Sequence, residues 1–337
     1  MKSSGEAIVQ LRGLEMIYGQ RRRIFGRGTG QVHAVDGVSL EIRQGETLGL
    51  VGESGCGKST LARCVVRLEE PTGGQILFDG EDITHLRSGS LRSFRRKMQL
   101  VFQDPFASLN PRKRIGATLE AALQIHGIGG DAAGRKSRVL ELLGHVGLSE
   151  EAAERLPSEL SGGQRQRVGI ARALSVGPRL IVADEPVSAL DVSVQAGILN
   201  LLKSLQAELG LTMLFISHDL GVVRHVSDRV GVMYLGKLVE IGPADPFYRA
   251  PLHPYSLALL SAVPLPDPDA RDESRQIVLE GDVPSAKSPP SGCRFHTRCP
   301  YAQDKCRKIE PQLADHGDGR FAACHFPLDR AATVGPS

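Results

Sequence analysis

Residues 52–60 read Gly-Glu-Ser-Gly-Cys-Gly-Lys-Ser-Thr and fit the pattern G-x-x-x-x-G-K-S/T. The apolar stretch Thr47–Val51 before them predicts a buried strand, and Leu61–Val66 after them has the spacing of a helix with one apolar face. A strand, a glycine-rich loop and a helix in this order direct backbone N–H groups and a helix N-terminus at phosphate oxygens. The stretch therefore predicts a site for a nucleoside triphosphate, with Lys58 reaching the β- and γ-phosphates and Ser59 ligating Mg²⁺.

Length and composition limit the classes of protein to which the chain can belong. Its 337 residues allow one large α/β domain and a smaller appendage. The formal net charge of +3, without a basic run interleaved with aromatic residues, gives no indication of a nucleic-acid partner. The sequence shows neither an apolar run of membrane-spanning length nor the apolar core of a signal peptide near Met1. We expect a cytosolic protein that reaches a membrane only through partners.

Patterns along the chain predict strands before and after the glycine loop. The segments Ala7–Leu11, Ser39–Ile42 and Gly73–Gly80 indicate an antiparallel β region. Apolar residues at helical spacing between residues 115 and 160 indicate an inserted helical subdomain. That subdomain ends where Ser161 and two glycines form a good helix start.

Six further strands are predicted between residues 100 and 279. The segment Leu100–Pro105 is a strand that ends in a polar switch and a proline, and Arg179–Glu185 is a buried strand that brings Asp184 and Glu185 to its carboxyl end, where open α/β sheets bind ligands. Leu211–Ser217 is a buried strand followed by His218. Residues 229–235 and 238–241 form a hairpin across Gly236-Lys237, and a proline-rich linker with one short strand at Gln276–Leu279 follows.

Four of the six cysteines crowd into the last segment, at Cys293, Cys299, Cys306 and Cys324. In a cytosolic chain such crowding favours metal ligation over disulfides. Four thiolates suit Zn²⁺ or an iron–sulfur cluster, although the spacing lacks the C-x-x-C pairs of structural zinc sites. Four reduced thiols in a packed tail are the alternative. Cys56 and Cys64, in the glycine loop and on its helix, are not expected to be ligands.

The separated motifs together resemble the ATP-binding subunit of an ABC transporter over nearly the whole chain. The motifs that carry this resemblance are Gly52–Thr60, Gln103, Leu160–Gln164, Leu180–Glu185, Ser188–Asp191 and His218. Residues 101–112, 184–195, 253–255 and 259–264 look like hallmarks of dipeptide and oligopeptide importers, as does the cysteine-bearing tail. The extended loop between Tyr18 and Val32 is similar to that of the second of two paired ATPase subunits, the F-type subunit.

The resemblance implies a P-loop NTPase core of the α/β class and a role for each motif. ATP and Mg²⁺ would be bound by Tyr18, Gly52, Ser54, Gly55, Cys56, Gly57, Lys58, Ser59, Thr60, Gln103 and Asp184. In catalysis Glu185 would be the general base, while Gln103 and His218 would contact the attacking water and the γ-phosphate. The signature segment that faces the ATP of a second subunit would be Ser161, Gly162, Gly163 and Gln164, and Asp191 would lie at the seam between the two subunits. For the aromatic residue that stacks on adenine, Phe25 and His33 are alternatives to Tyr18.

The resemblance also implies domains, a cofactor and partners. The ATP-binding domain would span residues 7–262 with its helical subdomain at about 104–165, followed by a linker at 263–290 and a cysteine extension at 291–327. That extension would hold a 4Fe–4S cluster, with Zn²⁺ as the alternative. The expected partners are a second ATPase subunit, two transmembrane permease subunits and, through them, a solute-binding protein, at the cytoplasmic face of the inner membrane.

The function implied is ATP hydrolysis that powers import of dipeptides or oligopeptides. Nickel or another small solute is an alternative, because other subunits set the specificity. A soluble ABC ATPase acting on ribosomes or DNA is another, although such chains usually carry two cassettes or a long coiled coil. A non-hydrolysing regulatory module is disfavoured by Lys58, Glu185 and His218.

Overall fold

A computed structural model of the protein describes residues 5–19, 30–104, 109–263 and 277–329. The strands of these residues are β1 (Ala7–Tyr18), β2 (Val32–Arg43), β3 (Thr47–Val51), β4 (Gly73–Phe78), β5 (Glu81–Asp82), β6 (Met98–Val101), β7 (Leu180–Asp184), β8 (Thr212–Ile216), β9 (Arg229–Tyr234), β10 (Lys237–Pro243), β11 (Ala314–Asp315) and β12 (Phe321–Ala322). Their helices are α1 (Lys58–Val65), α2 (Ser88–Lys97), α3 (Ile115–Ile125), α4 (Ala132–His145), α5 (Gly162–Leu174), α6 (Val192–Leu209), α7 (Leu220–Val226), α8 (Ala244–Arg249), α9 (Pro254–Ser261) and α10 (Asp304–Lys308), with short 3₁₀ turns at Glu150–Glu154 and Pro157–Glu159.

The chain forms two compact units. The first lies within residues 1–8, 42–47 and 85–216, and the second within 9–41, 48–84 and 217–337. In the first unit β8, β7 and β6 are neighbours in one parallel sheet. Every residue of β7 and β8 is buried. Parallel strands that are covered on both faces consist largely of apolar residues, which explains why both strands could be predicted from the sequence.

The second unit contains an antiparallel sheet in the order β2-β1-β4-β5 and a second group of strands in the order β11-β12-β10-β9-β3. Strand β3, which leads into the glycine loop, pairs in parallel with β9. The β9–β10 hairpin turns through Leu235 and Gly236, both with positive φ. Strand β12, from the cysteine-bearing tail, pairs with β10 through Glu240–Ala322 and Ile241–Phe321. The tail is therefore joined to the unit that carries the glycine loop.

Most of the strands and helices predicted from the sequence are confirmed, although several boundaries move. Strand β1 continues to Tyr18 instead of ending at Leu11, and β2 begins at Val32 instead of Ser39. The strand predicted to end at Pro105 already ends at Val101, so Gln103 lies beyond it. Among the described residues, no helix combines the length and apolar character needed to cross a membrane.

The prediction of a strand at Gln276–Leu279 is wrong for the residues of this segment that the structure describes. Gln276 lies outside the described residues, and residues 277–279 form no strand. Val278 is 77% exposed. The three apolar residues favour a strand by propensity, but propensity requires a partner strand and a covered face, and Val278 has no covered face.

Candidate functional site

The glycine loop adopts a backbone that side chains cannot follow. Gly52 has φ 151° and Gly57 has φ 107°. A Cβ atom at Gly52 would lie 2.2 Å from the carbonyl oxygen of Met233, and one at Gly57 would lie 2.0 Å from that of Ala34. Both glycines are therefore required by close backbone contacts as well as by left-handed geometry. The loop is held in place further by the N–H of Gly236, which donates to the carbonyl of Cys56 at 2.8 Å.

Lys58 places its ammonium group inside this loop. The residue is only 5% exposed, and its Nζ donates to the carbonyl oxygens of Gly52 at 2.7 Å and Glu53 at 3.0 Å. Helix α1 begins directly after Gly57, which supplies no capping side chain. The N-terminus of α1 thus combines uncapped N–H groups with a buried cation, which is the arrangement that binds phosphate.

Glu53 is held at three points and was not singled out by sequence reasoning. Its N–H donates to Tyr255 Oη at 2.9 Å, and its carboxylate oxygens accept from Arg298 Nη1 at 3.1 and 2.9 Å. Its carbonyl accepts from Lys58. A charged residue at an open position of the motif was the only available signal, since nothing in the sequence brings residue 298 to residue 53.

The second unit also places His218 and Tyr18. His218 is exposed and follows Ser217, whose N–H donates to the carbonyl of Leu50 in β3 at 3.2 Å. The end of β3 and the start of the His218 segment are therefore joined. Tyr18 is 37% exposed and its hydroxyl bonds to Glu69, and burial together with this bond raises its pKa. Of the two alternatives to Tyr18, His33 has its Nδ1 3.9 Å from Asp36 Oδ2, and Phe25 lies outside the described residues.

In the first unit β7 ends at the buried Asp184 and is followed by Glu185 with φ 48°. A non-glycine residue in this region is strained, and such residues cluster at functional sites. The N–H of Glu185 donates to the carbonyl of Ile216 at 2.9 Å. Gln103 Nε2 donates to Glu185 Oε2 at 3.2 Å. The two predicted catalytic side chains Gln103 and Glu185 are thus brought together.

The segment at Ser161 forms a closed helix start. Ser161 Oγ accepts from the N–H of Gln164 at 3.2 Å, and Gln164 Oε1 accepts from the N–H of Ser161 at 2.9 Å, which is a capping box. A Cβ at Gly163 would lie 2.4 Å from Val194 Cγ1 of α6, and Asp191 is the N-cap residue of that helix. Ser161, Gly163 and Asp191 therefore belong to one packed corner of the first unit.

The four cysteines of the tail line one cavity of the second unit. Its lining comprises Cys293, Cys299, Cys306, Cys324, His253, His296, His325 and four neighbouring apolar or aromatic residues. Burial raises the pKa of the Cys293 thiol, that of Cys299 to about 11 and that of Cys324 to about 12. These three thiols are therefore protonated at neutral pH unless a cation binds them.

His253 is the most buried polar residue on this cavity. It is 1% exposed, and burial lowers its pKa to about 3, so the ring is neutral. Its Nδ1 accepts from the N–H of Tyr255 at 3.1 Å, which places the ring proton on Nε2. Within the described part of the chain Nε2 has no hydrogen-bond partner. A buried donor without an acceptor is costly and indicates an occupant of the cavity.

The donor chemistry of this cavity fits a thiolate-bound centre, because four cysteines line one space. The side-chain positions do not themselves form one. In residues 5–19, 30–104, 109–263 and 277–329, no group of three or more His, Cys, Asp or Glu side chains has the arrangement of a metal site.

Comparison with protein families and solved structures defines the class of protein. Residues 35–188 match the family described as ABC transporter. The structure is similar to the ATP-binding cassette MJ0796 in a post-hydrolysis dimer bound to ADP and Pi, with 33% identity, a TM-score of 0.62 and coverage of 70% of this chain and 98% of that one. It is also similar to cbiO1 of Clostridium perfringens, at 28% identity and TM-score 0.61 over 71% of this chain and 90% of that one. The chain is an ABC ATPase.

A family match in the C-terminal part of the chain and two relatives aligned over nearly their whole length show which group of ABC ATPases the chain belongs to. Residues 239–306 match the family described as oligopeptide/dipeptide transporter, C-terminal region. The chain is 53% identical to the oligopeptide transport ATP-binding protein AppF of Bacillus subtilis, over 95% of this chain and 98% of that one. It is 54% identical to the putative oligopeptide transport ATP-binding protein YkfD of the same species, over 88% of this chain and 90% of that one. The chain belongs to the ATP-binding subunits of oligopeptide and dipeptide ABC transporters, the ATPases that energise peptide import.

Proposed function

We propose that this chain hydrolyses ATP with Glu185 as the general base and Lys58 as the principal phosphate cation. The observation that carries the proposal is the strained Glu185, which follows the buried Asp184 and accepts a hydrogen bond from Gln103. Asp184 would hold Mg²⁺ directly or through water, and Ser59 would ligate the same ion. His218 would hydrogen-bond the γ-phosphate.

Phosphoryl transfer needs charge neutralisation and a positioned nucleophile more than covalent help from the protein. In the proposed step the water oxygen bonds to the γ-phosphorus while the bond from that phosphorus to the β–γ bridging oxygen breaks. The proton of the water passes to the carboxylate of Glu185, and ADP leaves with the bridging oxygen. Gln103 fixes the orientation of that carboxylate by its hydrogen bond to Oε2.

The variant Glu185→Gln tests this assignment. The amide keeps the shape of the side chain but cannot take a proton, so hydrolysis should slow by about two to four orders of magnitude while nucleotide affinity persists. Nucleotide affinity and turnover are measured in the assembled transporter. The matched control is Glu154→Gln, since this exposed carboxylate of the same unit pairs only with Arg114 among the contacts described. Normal turnover in Glu185→Gln would assign the base to another residue.

We propose further that two ATPase subunits complete each site. Ser161 and Gly163 would contact the γ-phosphate bound by the other subunit, and Asp191 would lie at the seam between the two subunits. Support comes from the exposure of Ser161 and Asp191 at the surface of the first unit, and from the dimeric form in which the MJ0796 cassette was solved. The remaining partners would be two permease subunits, which hold the ATPases at the cytoplasmic face of the inner membrane, and a solute-binding protein.

The transported solute is proposed to be a dipeptide or an oligopeptide. The C-terminal match to oligopeptide/dipeptide transporters and the similarity to the oligopeptide transport proteins AppF and YkfD support this. Affinity purification of the tagged chain from its native membrane should recover permease subunits and a solute-binding protein that binds peptides. Recovery of a nickel-binding protein would reassign the solute, and recovery of ribosomes in place of a permease would refute the transport function.

We infer that the tail, residues 291–327 after a linker at 263–290, holds a thiolate-bound metal centre. The four cysteines that line one cavity support the inference, and a 4Fe–4S cluster or Zn²⁺ would be ligated by Cys293, Cys299, Cys306 and Cys324. Such a centre would cross-link a segment too small to fold on its own apolar core.

Metal analysis of protein purified without oxygen tests the centre. We expect about four irons per chain and absorbance typical of thiolate-bound clusters, both lost in Cys299→Ser. The control Cys64→Ser changes a buried cysteine of the same unit that lies on α1 and should leave the metal content unchanged. If the analysis finds one zinc and no iron per chain, the centre is a Zn²⁺ site and not a cluster. If it finds neither metal, the proposed metal centre is refuted.

A further inference from the structure

The phosphate loop is anchored by two residues from the last third of the chain. Tyr255 Oη accepts from the N–H of Glu53, and Arg298 Nη1 donates to both carboxylate oxygens of Glu53 at 3.1 and 2.9 Å. The Arg298 side chain is 9% exposed and that of Glu53 is 25% exposed. A charged pair of this kind, with a hydrogen bond to each carboxylate oxygen and little solvent, fixes geometry as well as charge.

Glu53 in turn holds Lys58, the cation expected to bind phosphate. Its carbonyl accepts from Lys58 Nζ at 3.0 Å, one of two carbonyls that hold the ammonium group. Its N–H is committed to Tyr255 and is therefore not a donor for phosphate. The position of Lys58 thus depends on Glu53, and the position of Glu53 depends on Arg298.

The charge of Glu53 gives Arg298 a second effect. Glu53 is the residue after Gly52, so a carboxylate lies in the loop that receives a polyanion. An unpaired carboxylate at this place would repel the phosphates, and the interaction would be strong because the surroundings are partly buried. Arg298 neutralises that carboxylate through its two hydrogen bonds.

We propose that Arg298 is a positioning residue for nucleotide binding, acting through Glu53 on Lys58. Arg298 directly precedes Cys299, which lines the cysteine cavity, so the segment 293–299 and the phosphate loop are energetically coupled. The proposal rests on the phosphate-binding role of Lys58 given above. Coupling between two sites is reciprocal, so nucleotide also stabilises the segment.

Equilibrium titration of the full chain with Mg-ATP tests the first half of the proposal. Arg298→Gln should weaken binding about 5- to 150-fold, the usual range for coupled sites. Arg298→Lys should recover part of the loss, since it restores the charge but not the two-bond geometry. Glu53→Gln combined with Arg298→Gln should bind more tightly than Arg298→Gln alone, because the repelling carboxylate is gone.

Arg294→Gln is the matched control. The side chain of Arg294, in the same segment, is also 9% exposed, but it bonds to Asp36 and to the carbonyl of Leu235 instead of Glu53. Its loss loosens the segment without freeing the Glu53 carboxylate, and ATP affinity should change less than about threefold. Equal weakening by Arg294→Gln and Arg298→Gln would overturn the proposal in favour of general docking of the segment.

Hydrogen exchange supplies a readout that does not depend on activity. Mg-ATP should slow amide exchange in residues 293–299 of the wild-type chain and leave it unchanged in Arg298→Gln. Unaltered ATP affinity in Arg298→Gln would overturn the inference if Lys58→Ala loses affinity in the same assay. Unaltered affinity in Lys58→Ala would instead refute the phosphate-binding role on which the inference rests.

Discussion

Helix α1 follows a glycine-rich loop and helix α5 begins with two glycines, yet their N-termini are completed in different ways. The N-cap of α1 is Gly57, whose left-handed backbone brings no capping side chain. The N-cap of α5 is Ser161, which exchanges hydrogen bonds with Gln164 in a capping box. Helix α1 therefore leaves its first N–H groups for a ligand, whereas α5 satisfies part of its own N-terminus.

The cationic side chains near the N-termini of α1 and α5 also differ, in that one can turn toward a ligand and the other stabilises the chain. Lys58 Nζ, a compact charge, bonds to the carbonyls of Gly52 and Glu53 inside the loop. Arg165 Nη1 bonds to the carbonyls of Pro157 at 3.3 Å and Leu160 at 2.7 Å. An ammonium group can rotate its donors toward an arriving phosphate, while the planar guanidinium group fixes the turn before α5. The N-terminus of α1 is therefore arranged to bind the phosphates of a ligand, whereas the N-terminus of α5 is stabilised by the chain itself before any ligand binds.

The largest expected effect comes from adding one methyl group to each helix start. Gly57→Ala should abolish measurable nucleotide binding, because its Cβ would meet the carbonyl oxygen of Ala34 at 2.0 Å and its φ of 107° disfavours any side chain. Gly162→Ala should keep the nucleotide affinity of the isolated chain, since the nearest atoms to its Cβ would be two side-chain ends, Leu190 Cδ2 at 3.2 Å and Arg165 Nη2 at 4.0 Å. Nucleotide titration together with urea unfolding of both variants is the measurement. Nucleotide binding by Gly57→Ala at wild-type affinity would show that the loop tolerates another backbone.

The parts of this contrast that are local in sequence could be predicted. Ser161 followed three residues later by Gln164 is a capping signal, and the buried runs at β3, β7 and β8 are continuous apolar stretches bounded by turns. The hairpin turn at Gly236 follows from glycine's freedom at positive φ. Each of these features depends on residues that lie within a few positions of one another.

The features that were missed depend on long-range pairing. Arg298 and Glu53 are 245 positions apart, and the pairing of β12 with β10 joins Ala322 to Glu240. The strand expected around Val278 was wrong for the opposite reason, since local propensity was present and a covering partner was not. Sequence spacing carries no information on which distant segments meet, so the anchoring of the phosphate loop was not predictable.

A smaller effect is expected when the two cations are removed. Lys58→Ala should weaken nucleotide binding about 10- to 150-fold, which corresponds to the loss of one hydrogen-bonded charge. Arg165→Ala should lower the free energy of unfolding through the carbonyls of Pro157 and Leu160 but leave nucleotide affinity of the isolated chain unchanged. Isothermal titration of both variants distinguishes the roles. Similar losses of affinity in the two variants would remove the distinction between the helix starts.

The smallest effect, and the sharpest test of the contrast, concerns Ser161. Its hydroxyl oxygen accepts from Gln164, which leaves the O–H as a donor for a phosphate on a second subunit. Ser161→Ala removes both functions and should cost about 1 kcal/mol in free energy of unfolding, whereas Ser161→Asp retains the cap. Hydrolysis should fall in both variants of the assembled transporter, and further in Ser161→Asp, because a carboxylate repels the γ-phosphate.

The expected order of stability is therefore Ser and Asp above Ala, while the order of hydrolysis is Ser, then Ala, then Asp. Chemical unfolding of the chain and turnover of the transporter measure the two orders. If hydrolysis instead follows stability, with Asp above Ala, Ser161 acts only as a helix cap and α5 carries no phosphate contact through its hydroxyl.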